Sequence, residues 1–188
     1  MRFFNQTFMN IEIIAGSPRN PSLNLRVVTY LHGYLKSRTE DQVGILKLQE
    51  IQLPFIQKVW SRVEDAPDQF KFVAERMFAA DAFIICSPEY NGSYSPAMKN
   101  LFDHFPKQRR KAFGIVTSSD GGMGGMRAAQ QILQLVPALF GFASPNLLIV
   151  PKAHEKFSEE GALIEESFLK NINDFITEFL WLAHQLIK

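Results

Sequence analysis

One cysteine in 188 residues, Cys86, excludes an internal disulfide framework. Its place inside the apolar run Phe83-Ile-Ile-Cys86 makes it a buried structural thiol rather than a nucleophile. Histidine is sparse as well: four scattered residues, with no CxxC or HExxH spacing, give no metal site. Charge of either sign is not in excess. Twenty Lys and Arg stand against nineteen Asp and Glu, a formal charge of +1, and nucleic acid is not indicated as a partner. The one basic cluster, Lys107-Gln-Arg-Arg-Lys111, reads as a solvated connection between a helix and the next strand. Met1 to Asn10 lacks the continuous apolar segment of a signal peptide, so the cytoplasm is the expected compartment. Residues 1–9 are expected to form a disordered extension, with Met9 as an alternative start, and residues 10–188 a single domain. Ala128 to Pro151 carries no charge, yet Gln130, Gln131, Gln134, Pro137 and Gly141 interrupt it. It reads as a helix, a turn and a buried strand, and no membrane partner is expected.

What the chain does contain is an alternation of short apolar runs and amphipathic segments. Strands are expected at 11–15, 43–48, 81–86, 112–117 and 147–150. Helices are expected at about 22–37, 68–80, 96–105, 126–140 and 159–186, the last with Ile164, Phe168, Ile172, Phe175, Phe179, Leu182 and Leu186 on one stripe. The runs at 81–86 and 112–117 show no polar alternation, as strands covered on both faces do. Five strands alternating with five helices specify an α/β fold: a parallel sheet with right-handed crossovers and helices on both faces. Residues 49–66, with Pro54 and Trp60, form a long loop of little periodicity, in which Trp60 serves packing and the loop shapes substrate access.

In such a fold ligands bind beyond the carboxyl ends of the strands, where the loops 16–24, 87–95 and 118–125 lie. The first, Gly16-Ser-Pro-Arg-Asn-Pro-Ser-Leu-Asn24, has the chemistry of a monophosphate cradle. Backbone N–H groups at a helix start, the hydroxyls of Ser17 and Ser22, the Asn24 amide and the Arg19 charge all suit one dianion, although Ser22 is equally a good N-cap. Neither GxGxxG nor GxxxxGK[ST] is present, so dinucleotide pyrophosphate and triphosphate fail at their defining residues. The second loop, Ser87-Pro-Glu-Tyr-Asn-Gly-Ser93, offers backbone amides to a flat ring, and glycines of the third permit close approach.

Gly16-Ser-x-Arg-x-x-Ser-x-Asn24, Ser87-Pro-Glu-Tyr-Asn91, Lys99-Asn100 and Ser118 to Arg127 together resemble the NADPH-dependent FMN reductase family, from about Asn10 to Pro151. The resemblance implies a flavodoxin-like three-layer sandwich with a five-stranded parallel sheet in the order 2-1-3-4-5. It implies that Ser17, Arg19, Ser22 and Asn24 hold the phosphate of FMN and that Pro88, Glu89, Tyr90, Asn91 and Gly92 follow the isoalloxazine ring. Ser118, Gly121, Gly122 and Gly124 would cover its other side, with NAD(P)H as co-substrate. It further implies a homodimer or homotetramer, a small acceptor (quinone, azo compound, flavin or oxidised metal species), and chemistry at flavin N5 with no catalytic side chain. After Asp103 the family pattern is broken by His104-Phe105-Pro106, which bears on subunit contacts. A flavodoxin-type electron carrier without NAD(P)H turnover is the alternative.

Overall fold

Apolar β-branched runs without polar interruption make the centre of the sheet. The computed structural model describes residues 8–187. Residues 1–7 of the expected extension lie outside the described residues; of the other two, Phe8 is exposed and Met9 is buried in the core. Strand β1 (Asn10–Ala15) lies between β2 (Gln42–Lys47) and β3 (Ala82–Pro88), and β3 pairs in turn with β4 (Ala112–Ser118), all in parallel. Every residue of β4, and all of β3 except Pro88, is buried, whereas the edge strand β2 is mostly half-exposed. The order β2-β1-β3-β4-β5 is the flavodoxin-like one.

A sixth strand departs from expectation. The last strand expected at 147–150 is present as β6 (Leu148–Val150), paired with the end of β4, and an additional short strand β5 (Phe142–Ala143) pairs with the beginning of β4. Pro145, which has no N–H to give to a ladder, sits in the turn that lifts the chain off β4 between them.

Helix α1 (Leu23–Lys36) starts where the Ser22 hydroxyl accepts the Leu25 N–H at 3.4 Å. Helix α2 (Lys71–Ala79) follows a 3₁₀ turn at Asp68–Phe70. Helix α3 (Pro96–Asp103) has Ser95 as N-cap, accepting the Met98 N–H at 3.1 Å, with proline in its first turn. Helix α4 (Met126–Ala138) precedes β5. The closing segment is a second correction: after the short α5 (Ala153–Lys156), the final helix α6 spans Leu169–Leu186 and does not begin at 159. The turn at 158–162 is held by the Phe157–Leu163 bridge, and Ile164, expected on the buried stripe, is 57% exposed. Helices α2, α3 and α4 cover one face through Val73, Met77, Leu101, Phe102, Ile132 and Val136. Helices α1 and α6 cover the other through Val27, Leu31, Ile172, Phe175 and Phe179. Among the described residues no helix is long and apolar enough to cross a membrane.

Two charged groups sit within this frame. Glu12, buried in β1, receives a forked pair of hydrogen bonds from Arg76 of α2 at 2.9 and 2.5 Å. Lys111, at the start of β4, lies 5.2 Å from the centre of the Phe83 ring and donates to the Gln108 amide oxygen at 3.0 Å. Burial pushes its pKa down to about 8, against a weaker opposing pull from Asp81. An unfolded lysine titrates near ~10.4, so between those values the unfolded chain binds more protons and stability rises with pH. The expected result is a wild-type urea midpoint that gains on that of Lys111→Met between pH 8 and about 10. A constant difference between the two would show that the ammonium is not buried in solution.

Candidate functional site

Three loops leave the same end of the sheet, and the backbone geometry of each is set by its own residues. In the first, Gly16 donates its N–H to the Cys86 carbonyl at 2.8 Å, and its own carbonyl accepts the Ser95 hydroxyl. A β-carbon on Gly16 would lie 2.7 Å from that Cys86 carbonyl oxygen, so only glycine allows the two strand ends to come so close. Ser17 is buried, and its Oγ accepts the Arg19 N–H at 3.2 Å. Asn24, in the first turn of α1, reaches two other strands: its Nδ2 donates to Cys86 Sγ at 2.9 Å and to Ser118 Oγ at 3.2 Å. Its Oδ1 is buried with no partner among the described residues.

The second loop is a two-residue hairpin. Tyr90 and Ser93 exchange backbone hydrogen bonds at 2.8 and 3.1 Å around Asn91 (φ 50°) and Gly92 (φ 82°). Positive φ at both central positions is the type I′ turn, whose Asn-Gly signature stands in the sequence. Gly92 thus serves the turn and lines neither pocket described below. The Ser87 hydroxyl accepts the Ser95 N–H at 3.0 Å and steadies the hairpin base. Glu89 accepts the Arg127 backbone N–H at 3.2 Å and its guanidinium at 3.3 Å, which ties this loop to the start of α4.

In the third loop, Gly121 and Gly122 are exposed with open space around them, but Gly124 is buried at φ 61°. A β-carbon on Gly124 would fall 2.6 Å from Ile149 and 2.7 Å from the Pro151 nitrogen. Gly124 is therefore required by packing against β6, and the three glycines line neither pocket.

Between these loops lies a pocket of about 170 Å³, lined by Ser17, Arg19, Ser22, Asn24, Pro88, Glu89, Tyr90, Ser118 and Asp120. It shares Arg19, Glu89 and Tyr90 with a cleft of about 890 Å³ that adds Phe55, Ile56, Asn91, Tyr94, Lys99 and Asn100. Arg19 stands at the junction, its guanidinium 4.7 Å above the centre of the Tyr90 ring. The outer cleft wall comes from the loop 49–66 expected to shape substrate access, although the sequence does not single out Phe55 and Ile56 within it. Asn100 Nδ2 holds the long loop at the carbonyls of Leu53 and Pro54, at 3.3 and 2.9 Å, and leaves Phe55 86% exposed. Trp60 anchors the far side of that loop through the His104 carbonyl at 2.7 Å and rings of Phe70, His104 and Phe105, a packing role as expected. Nothing in the sequence sets Phe55 and Ile56 apart from the other apolar residues of that loop, Ile51, Leu53, Val59, Trp60 and Val63.

The donors and acceptors suit a phosphorylated, hydroxylated ligand. Helix N–H groups, two serines and Arg19 favour an anion, and the Asn24 Oδ1 and Tyr90 hydroxyl, on residues that line the pocket, have no partner among the described residues. FMN carries both kinds of group and fits this set of donors and acceptors. The Cys86 thiol is not a nucleophile here, because burial raises its pKa far more than the Asn24 hydrogen bond lowers it.

Comparison with known proteins agrees with this chemistry. The chain is 25% identical over 155 residues to an NADPH azoreductase of Bacillus sp. (strain OY1-2), covering 81% of this chain and 83% of that protein. It is also 25% identical to an FMN-dependent NADPH-azoreductase of Staphylococcus saprophyticus, over 89% and 92% of the two chains. In fold it is similar to FerB, a flavoenzyme NAD(P)H:(acceptor) oxidoreductase of Paracoccus denitrificans, with a TM-score of 0.77, 22% identity and coverage of 94% and 98%. A flavodoxin of Pseudomonas aeruginosa superposes less closely, at a TM-score of 0.59 with 16% identity over 92% and 99%. The pattern described as NADPH-dependent FMN reductase matches residues 9–155, a span that contains all three loops and the three strands, β1, β3 and β4, from which they leave. The chain belongs to the NADPH-dependent FMN reductase family.

Proposed function

We propose that this oxidoreductase draws reducing equivalents from NADPH or NADH and delivers them to a small acceptor, with quinones and azo compounds first and free flavin or oxidised metal species next. Bound FMN supplies the acceptance and release of hydride at ring nitrogen N5. The side chains bind and orient. Ser17, Arg19, Ser22 and Asn24 hold the phosphate and the adjoining hydroxyls, and the hairpin from Pro88 to Gly92 fixes one edge of the ring. Ser118 joins them in the small pocket, and Gly124 sets the path of the third loop beside it. The observation that carries this reading is the small anion pocket, with its two unpartnered buried polar atoms, sharing Arg19, Glu89 and Tyr90 with a much wider cleft. The cleft leaves room for a nicotinamide and then an acceptor in the same place, which is the requirement of ping-pong turnover.

The same reading makes residues 10–188 one cytoplasmic domain that assembles as a homodimer or homotetramer. Phe55, exposed at the cleft rim, supports a subunit boundary near the site. The flavodoxin-type carrier shares the fold but needs a charged docking surface, and a net charge of +1 does not supply one. Anaerobic addition of NADPH, then NADH, to the FMN-loaded protein is expected to bleach the flavin absorbance. Steady-state rates should then give parallel double-reciprocal lines with a quinone or azo acceptor. A flavin that neither nucleotide reduces, but a reduced partner protein does, would make the chain a carrier.

A further inference from the structure

We propose that the end of the sheet opposite the cofactor pocket carries a second anion site, which takes a phosphate or carboxylate head joined to an apolar body. The N-terminal ends of the strands meet the end of α6 there around a pocket of about 410 Å³, inside the size range of small-molecule sites. Its polar wall is Arg109, Arg110 and Lys111; its apolar wall is Phe8, Leu186 and Ile187.

Among the described residues no ion pair joins Arg109, Arg110 or Lys111 to a carboxylate, although eleven Lys or Arg ion pairs are formed elsewhere. The one carboxylate in the wall, Asp81, already accepts the Asn10 N–H at 2.8 Å. Lys111 is the informative member. Its ammonium is half-buried, hydrogen-bonded to an amide oxygen and set against the Phe83 ring. Burial lowers the pKa of this lysine, and Asp81 offsets that only in part. Arg109 lies 4.3 Å over the Phe140 ring, which fixes the plane of its guanidinium while leaving N–H edges for a forked contact with an oxyanion. The segment is thus only in part the solvated connection that the sequence suggests: Gln108 is buried and Lys111 half-buried. Phe8, 57% exposed, offers the apolar body a surface that nothing in the described structure covers.

The test uses the full chain saturated with FMN, so that the cofactor pocket is filled, and three probes: hexyl phosphate, inorganic phosphate, and vesicles of phosphatidylserine beside phosphatidylcholine. Hexyl phosphate is expected to bind more tightly than inorganic phosphate in calorimetric titration. Arg110→Ser with Lys111→Gln should weaken it about tenfold or more, the loss expected for charge-assisted bonds, with the flavin spectrum and NADPH oxidation unchanged. Arg110→Ser alone, at an exposed position, keeps the comparison available if the double variant does not fold, and should give a smaller loss. Sedimentation of wild type but not variant with phosphatidylserine vesicles would identify the head group as a lipid's. Hexyl phosphate binding without vesicle binding would identify a free organic anion. The proposal is overturned if neither probe binds, if the variants bind as wild type does, or if inorganic phosphate matches hexyl phosphate.

Discussion

Arg19→Ala and Ser22→Ala should each weaken FMN binding about tenfold or more while leaving the fold intact, because each removes one charge-assisted contact worth roughly 1.5 to 3 kcal/mol. The positions differ in what else they do. Arg19 is exposed, its guanidinium packs only over the Tyr90 ring, and its backbone N–H is already held by Ser17. Its loss should spare stability and raise the FMN dissociation constant. Ser22 also caps α1 through the Leu25 N–H, so its alanine variant should lose about 1 kcal/mol of stability as well. Fluorescence titration of the apoprotein with FMN, beside urea unfolding, separates the two effects. Unchanged FMN affinity in both variants would reduce the loop to a capping turn and withdraw the phosphate assignment.

Gly16→Val is expected to abolish FMN retention and to destabilise the fold by roughly 1 to 3 kcal/mol, the usual cost of forcing extra atoms into a packed site. The new β-carbon would lie 2.2 Å from the end of the Met98 side chain and 2.7 Å from the Cys86 carbonyl oxygen. The methionine can turn away, but the carbonyl belongs to β3 and accepts the Gly16 N–H itself, so the first loop must separate from β3. That movement draws Ser17 and Arg19 away from Asn24 and Ser118, which line the same pocket. Purification without yellow colour, together with a lowered thermal midpoint, is the expected result. Full FMN occupancy in this variant would mean that the close approach of β1 and β3 does not shape the pocket.

Much of this was readable in the chain because it is local. Ile84-Ile-Cys86 and Phe113-Gly-Ile-Val116 have no polar alternation, and they lie in the two most buried strands. The phosphate-type loop is legible for the same reason: Ser17, Arg19, Ser22 and Asn24 fall within one turn and the first turn of a helix, so neighbours in sequence are neighbours in space. The strand order and the three loop positions then follow from the alternation of elements and the handedness of crossovers, joined to the family likeness.

Other features needed the folded chain. The additional strand β5 depends on where the turn at Ser144-Pro145-Asn146 sits against β4, and the start of α6 on a bridge between Phe157 and Leu163 that periodicity does not register. Asn24 meets Cys86 and Ser118 from 62 and 94 residues away, and Glu89 meets Arg127 across 38. Glu12 looks like a flaw in an apolar strand until Arg76 arrives from α2. The sequence by itself determined most of the elements and their alternation, since propensity and periodicity act within a window of a few residues. Only the tertiary structure decided which loops share a pocket, which glycines serve packing, and which charges go unpaired, because those depend on how distant segments return to one place.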